Sequence, residues 1–336
     1  MGQALVDHGS QGGMTLCRRL TRAVEAFFFT PASARPLAAL RIGLAAVLIA
    51  QAWMIRAQIL EFFAQDGFAQ GELARYFSVP GAPHLAWLVE RLSPLGVSEA
   101  SCIYAVCGAY FLSLLLLFTG FHTRLAAVSA WFLHWTLLNT GYASIYGVDR
   151  YAHIFLFYLM WVPAGRAYSL DVALGRVSRA STATARLGLR VMQIHLCLSY
   201  LASSIEKSSC AQWWNGELLW RALSLPEYKQ FDMSWLAEWP WLSRVGGWAT
   251  LAIEAGYCVF IWPRRTRMLW VLATVALHLG IAIFLGLHVF GAALCVLTVA
   301  LFGFSPEPRG PSASQVPSPD KEEQRPAPAS SPDPRA

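Results

Sequence analysis

The sequence predicts an all-α integral membrane protein, a polytopic bundle of about eight transmembrane helices with interfacial amphipathic helices in two outer loops. Three observations carry this. Hydrophobic residues make up 56% of the 336 and charged residues only 14%, against about 25% charge in a soluble domain; the mean hydropathy is +0.43. Apolar runs recur along the chain at about the 20-residue length that crosses a hydrocarbon core. Arginines gather in every second connection, the pattern of cytoplasmic loops.

Taken in order, the apolar cores are Pro36–Met54, Ala100–Thr119, Leu125–Leu138, Tyr151–Val162, Leu187–Ser204, Trp248–Trp262, Met268–Leu285 and Val289–Phe304. The fourth and last are short, so the count is eight give or take one. Arg18, Arg19, Arg22 and Arg35 precede the first span, and Arg124 follows the second. Arg166, Arg176, Arg179 and Arg186 follow the fourth; Arg264, Arg265 and Arg267 follow the sixth. Both termini then lie in the cytoplasm, as in a protein of the bacterial inner-membrane type. Arg41 and Arg56, near the ends of the first span, are expected to snorkel toward the headgroups.

Two outer connections are too long for simple turns. From Leu60 to Glu99, apolar and charged residues interleave as in helices lying on a membrane surface. From Trp213 to Trp248 the chain holds seven of its fourteen tryptophans. Indole favours the headgroup zone, so this loop reads either as an aromatic belt or as a lip admitting a lipid-soluble molecule. The boundaries are therefore a cytoplasmic segment 1–26, a transmembrane domain 27–304 and a Pro/Ser-rich cytoplasmic tail 305–336, too polar to bury a core and so expected to be disordered. The opening is polar and Gly-rich, without a signal-peptide core. The formal charge of +6 follows from topology and implies no nucleic-acid partner. Seven cysteines show no CxxC or Cys/His ligand spacing, so neither metal nor disulfide framework is expected.

The fifth span carries the most informative pattern. Counting back from Lys207 at helical spacing gives Ser204, Ser203, Tyr200 and Gln193 on one side. Lipid offers such a stripe no hydrogen-bond partner, so it faces protein or a wet cavity. Trp213 and Trp214 follow the stripe. Glu254 in the sixth span and His278 in the seventh sit at matched depths, about 9 and 11 Å from the outer ends of those runs. They read either as an interhelical hydrogen bond or as a proton relay. Asp149 and Arg150 open the fourth span at the same level, as a cap, an ion pair or the rim of the polar centre. His134 and His153 read as structural.

These residues resemble the HTTM domain, the membrane domain shared with vitamin K-dependent γ-carboxylases. The resemblance covers roughly Phe27 to Phe304. It rests on LRIGLAAVLIA with Arg41, on the segment from Leu138 through Ser169-Leu170-Asp171, on Gln193, Tyr200, Lys207, Trp213, Trp214 and Gly216, and on Glu254 and His278 around a basic turn. It implies that Lys207 is a base that deprotonates a reduced quinone such as vitamin K hydroquinone; Glu254 and His278, through the relay reading, are the further catalytic candidates. Tyr200, Gln193, Asp149, Arg150, Trp213 and Trp214 then become candidates for substrate binding. The partners implied are the bilayer and a lipid-soluble small molecule. A non-catalytic membrane scaffold, a lipid-binding protein or an assembly protein is the alternative.

Overall fold

A computed structural model describes residues 18–68, 76–77 and 80–303. Among them the fold is all-α, with no strand and one isolated antiparallel bridge between Ala32 and Thr182. Eight helices form the bundle. They are α1 (Arg35–Met54), α2 (Glu99–Thr119), α3 (Thr123–Thr140), α4 (Gly147–Trp161), α5 (Ala183–Ser208), α6 (Pro240–Phe260), α7 (Arg264–Leu285) and α8 (His288–Thr298). A single π turn, Val299–Gly303, continues α8. The segments expected as a cytoplasmic start and a Pro/Ser-rich tail fall largely or wholly outside the described residues.

Each expected apolar run coincides with a helix. Of these, α1, α2 and α7 are long and apolar enough to cross a membrane, and α8 with its π turn is a shorter apolar helix. The 15 residues of α4 rise only about 23 Å, while α5 and α6 carry the polar groups of the candidate site. The outward faces are apolar: Leu112, Leu198, Val259, Leu269 and Leu272 are all well exposed, a surface that fits lipid better than water. Local chemistry sets the helix ends. Ser98 and Thr182 accept the third backbone N–H of α2 and α5. Pro36 opens α1 and Pro240 opens α6.

Helix α1 sits at the centre, packing against α2, α4 and α8, with Leu37, Leu40, Leu44 and Leu48 buried. Arg41 is buried on the same helix. Its expected snorkelling is overturned, because the guanidinium caps carbonyls at the end of α2 and beyond. Nη1 donates to Leu117 O at 2.6 Å and Phe118 O at 3.2 Å, and Nη2 to Tyr168 O at 2.6 Å. Leu117 O also accepts from Gly120 N at 3.2 Å, and the guanidinium fork adds donors to it and to the Phe118 and Tyr168 carbonyls at this helix end. Gly120 turns the chain there at φ +70, where a Cβ would collide with the Arg41 guanidinium and the Ser169 side chain.

Asp171 closes the same turn. Its carboxylate accepts from His122 N and Thr123 N, both at 2.9 Å, and from Thr123 Oγ1 at 2.8 Å, so it caps the start of α3. Burial alone raises its pKa, but these bonds more than offset burial and hold the carboxyl below its ordinary value. Arginines continue along this end of the bundle. Arg186 donates to Thr30 O and Arg190 to Phe27 O, while Arg267 caps α6 through Ile261 O and Trp262 O. The opposite end has a different tie. Asn139 Nδ2 donates to Pro83 O, and Leu85 N donates to Thr140 Oγ1, fixing the short helix Leu85–Leu92 against the end of α3.

Candidate functional site

Lys207 occupies the last turn of α5, on the face that also carries Tyr200 and Ser204, both buried. Its Nζ donates to Ser203 Oγ at 2.6 Å and to Glu254 Oε1 and Oε2 at 2.6 and 2.7 Å. All three ammonium donors are therefore used. The Lys207 side chain is 24% exposed and that of Glu254 7%. The lysine thus stands at the edge of the bundle, and the carboxylate stands inside it. Glu206, the neighbour in sequence, points outward and is exposed.

The tryptophan segment roofs this pair. Lys207 Nζ lies 5.5 Å from the Trp213 ring centroid, within range of a cation–π contact. Trp214 Nε1 donates to Ser208 O, and Trp248 Nε1 donates to Trp214 O. Two glycines let the segment approach α6. Gly216 turns at φ +82, and a Cβ on it would meet the backbone of Ser243 and Arg244 at 2.5–2.7 Å. A Cβ on Gly247 would meet Trp213 O at 2.5 Å.

Below the ion pair, Tyr200 OH and His278 Nε2 lie 2.7 Å apart. The Tyr200 ring packs on Tyr257 with centroids 4.2 Å apart, and Phe290 covers His278. His278 Nδ1 is buried with no hydrogen-bond partner among the described residues. The pairing expected between Glu254 and His278 takes another form, because Glu254 holds Lys207 and His278 holds Tyr200. Helix α6 also begins eight residues before the expected Trp248, so Glu254 lies fourteen residues from its start, about 21 Å along the axis. Ser243 and Arg244 had masked those first turns in the hydropathy.

The other candidates divide. Gln193 does not reach this group: Nε2 donates to Leu301 O at 2.6 Å and Oε1 accepts from Arg190 at 2.9 Å. It ties α5 to the π turn some fourteen residues, or about 21 Å, from Lys207. Arg150 is exposed. Asp149 is buried at the start of α4, where Oδ2 accepts from Tyr146 N at 3.0 Å and Oδ1 from Gln51 Nε2 at 2.9 Å. It lines a cavity of about 520 Å³ among α1, α2, α3 and the α3–α4 connection. Lys207, Glu254, Tyr200 and His278 do not line that cavity.

Gln51, Tyr110 and His134 also line this cavity, and sequence reasoning passed over their part in it. Gln51, the one amide in the first span, was the available signal. Among the described residues no group of three or more His, Cys, Asp or Glu could hold a metal ion.

The HTTM domain matches residues 29–307 of this chain. No curated protein matches it. No solved structure matches it either. The match takes in all eight helices, including the arginine-capped turn, the Lys207–Glu254 pair and the tryptophan segment. The chain belongs to the HTTM domain family, and with its apolar helices it is a membrane protein of this carboxylase-like group.

Proposed function

We propose that all eight helices cross the bilayer, with both termini in the cytoplasm, and that the Lys207–Glu254 pair accepts a proton from a lipid-soluble hydroquinone in the outer leaflet. The arginine-rich end of the bundle supports the orientation, since cationic loops remain on the cytoplasmic side. The observation that carries the chemistry is an amine at the bundle's edge bonded through two short contacts to a buried carboxylate. Such a pair takes up one proton on a carboxylate oxygen while the ammonium still faces outward. The positive charge then stabilises negative charge developing on a hydroxyl brought to Nζ. Ser203 holds the amine in place, and the Trp213 face offers an aromatic platform for a flat ring. A hydroquinone supplies two weakly acidic hydroxyls and two electrons for an oxidant.

One observation favours a second reading, a non-catalytic membrane scaffold. Lys207 has no donor left over for a substrate unless a bond to Ser203 or Glu254 is exchanged. Incubating the purified protein with reduced quinone under oxygen, and measuring quinone epoxide by mass spectrometry, separates the two. Turnover in the wild type that is lost in Lys207→Ala and in Glu254→Gln supports the base. Turnover undiminished in Lys207→Ala, or none in the wild type, leaves the scaffold.

A further inference from the structure

We infer that the cavity beside Asp149 binds a lipid-soluble amine, with the protonated head against the Asp149 carboxylate and the tail along the apolar wall. The volume, about 520 Å³, is in the range of small-molecule sites. Its rim reaches the surface, because the lining residues Trp53, Met54 and Tyr104 are more than half exposed. Much of its wall is aromatic, including Phe63, Tyr104 and Phe111.

The polar end of the cavity is short of positive charge. Asp149 is 6% exposed, and both its oxygens accept from N–H groups, the pattern of an ionised carboxylate. As the third residue of α4 it helps cap the helix, which accounts for one bond but not for its burial beside a cavity. Among the described residues no cation lies within ion-pair distance of it. Arg56 at the rim is engaged with Trp53, donating to its carbonyl and lying 4.2 Å from its ring centroid. A buried carboxylate without a counter-charge is costly.

The neighbouring groups likewise offer acceptors. The Asp149 carbonyl can only accept, so His134, 3.2 Å away, carries its proton on Nε2. His134 Nδ1 must then accept from Tyr110 OH at 3.0 Å, which leaves the Tyr110 lone pairs free. Gln51 has turned its NH₂ to Asp149, so its carbonyl oxygen remains available. An ammonium brings three donors and one positive charge. It satisfies the carboxylate and these oxygens together, and aromatic faces favour a cation. A neutral hydroxyl leaves the charge uncompensated, and an anion is repelled.

The test is calorimetric titration of the full chain in lipid nanodiscs with dodecylamine, dodecanol and dodecanoate, with empty nanodiscs subtracted. The amine should bind at least tenfold more tightly than the chain-matched alcohol, and dodecanoate should not bind. Asp149→Asn keeps the shape and removes the charge, so it should erase the preference while leaving the alcohol unchanged. Should that variant not fold, the wild-type ranking decides alone. Equal or tighter binding of the alcohol, or of the fatty acid, overturns the inference. So does a folded Asp149→Asn protein that keeps its preference for the amine.

Discussion

Lys207→Met is the most informative single change to stability. From the sequence, a lysine at a helix end contributes little to packing. The structure reverses that expectation, because the lysine neutralises a Glu254 side chain only 7% exposed. Methionine fills similar space but strands the carboxylate, and breaking one partner of such a pair costs about 3–5 kcal/mol. That is roughly two to three and a half decades in the unfolding equilibrium. Replacing both partners, as Lys207→Met with Glu254→Met, should recover most of the loss, since an apolar pair of similar volume is near neutral or better. Glu254→Gln should cost less than Lys207→Met, because the remaining ammonium is partly exposed and keeps its bond to Ser203. The assay is reversible denaturant unfolding of the protein in micelles, compared across the four variants including wild type. A loss below about 1 kcal/mol in Lys207→Met, the size of an exposed pair, refutes the reasoning.

Arg41→Met removes the guanidinium donors of three carbonyls, of which Leu117 O keeps only its bond from Gly120 N. It should cost about 3 kcal/mol or more, seen as loss of the folded monomer peak in size-exclusion chromatography. Arg41→Lys should rescue only in part, because an ammonium lacks the planar fork. Gly120→Ala should destabilise to a similar extent, since φ +70 and the collision with Arg41 act together, and thermal unfolding measures it. Asp171 carries a pH dependence. Its folded-state pKa lies below its unfolded value, so its stabilisation is present above the ordinary carboxylate range and is lost as pH falls through the lowered value. Asp171→Asn should remove that part of the acid sensitivity in pH-dependent melting. For the topology, a cysteine placed at Glu227 should be labelled from outside the cell and one at Arg265 should not.

The helices were legible because long apolar runs need no tertiary information. The start of α6 was not, since Ser243 and Arg244 lower its hydropathy while Pro240 sets its true beginning. The stripe on α5 pointed to Tyr200 and Lys207, but helical spacing cannot say which helix each residue meets. That is why Glu254 was expected to pair with His278 and meets Lys207 instead. Gln193 shared the stripe's face yet belongs to another level of the bundle, tied to Leu301. Arg41 looked like a snorkelling residue because its partners, Leu117 and Tyr168, contribute only carbonyl oxygens. Backbone acceptors leave no mark in a sequence. The same blindness hid the chain from Asp149 through His134 to Tyr110, in which a carbonyl fixes the tautomer.

The central claim, that Lys207 and Glu254 together accept a proton from a hydroquinone, is tested most directly by anaerobic absorbance titration. A reduced naphthoquinone is mixed with the protein in nanodiscs at a pH below the quinol's own ionisation, and its ionised spectrum is followed. The account predicts that wild-type protein generates the ionised spectrum in proportion to bound quinol, and that Glu254→Gln and Lys207→Met, compared at equal folded concentration, do not. An unchanged quinol spectrum at saturating wild-type protein, or the same ionisation in Glu254→Gln, would contradict it.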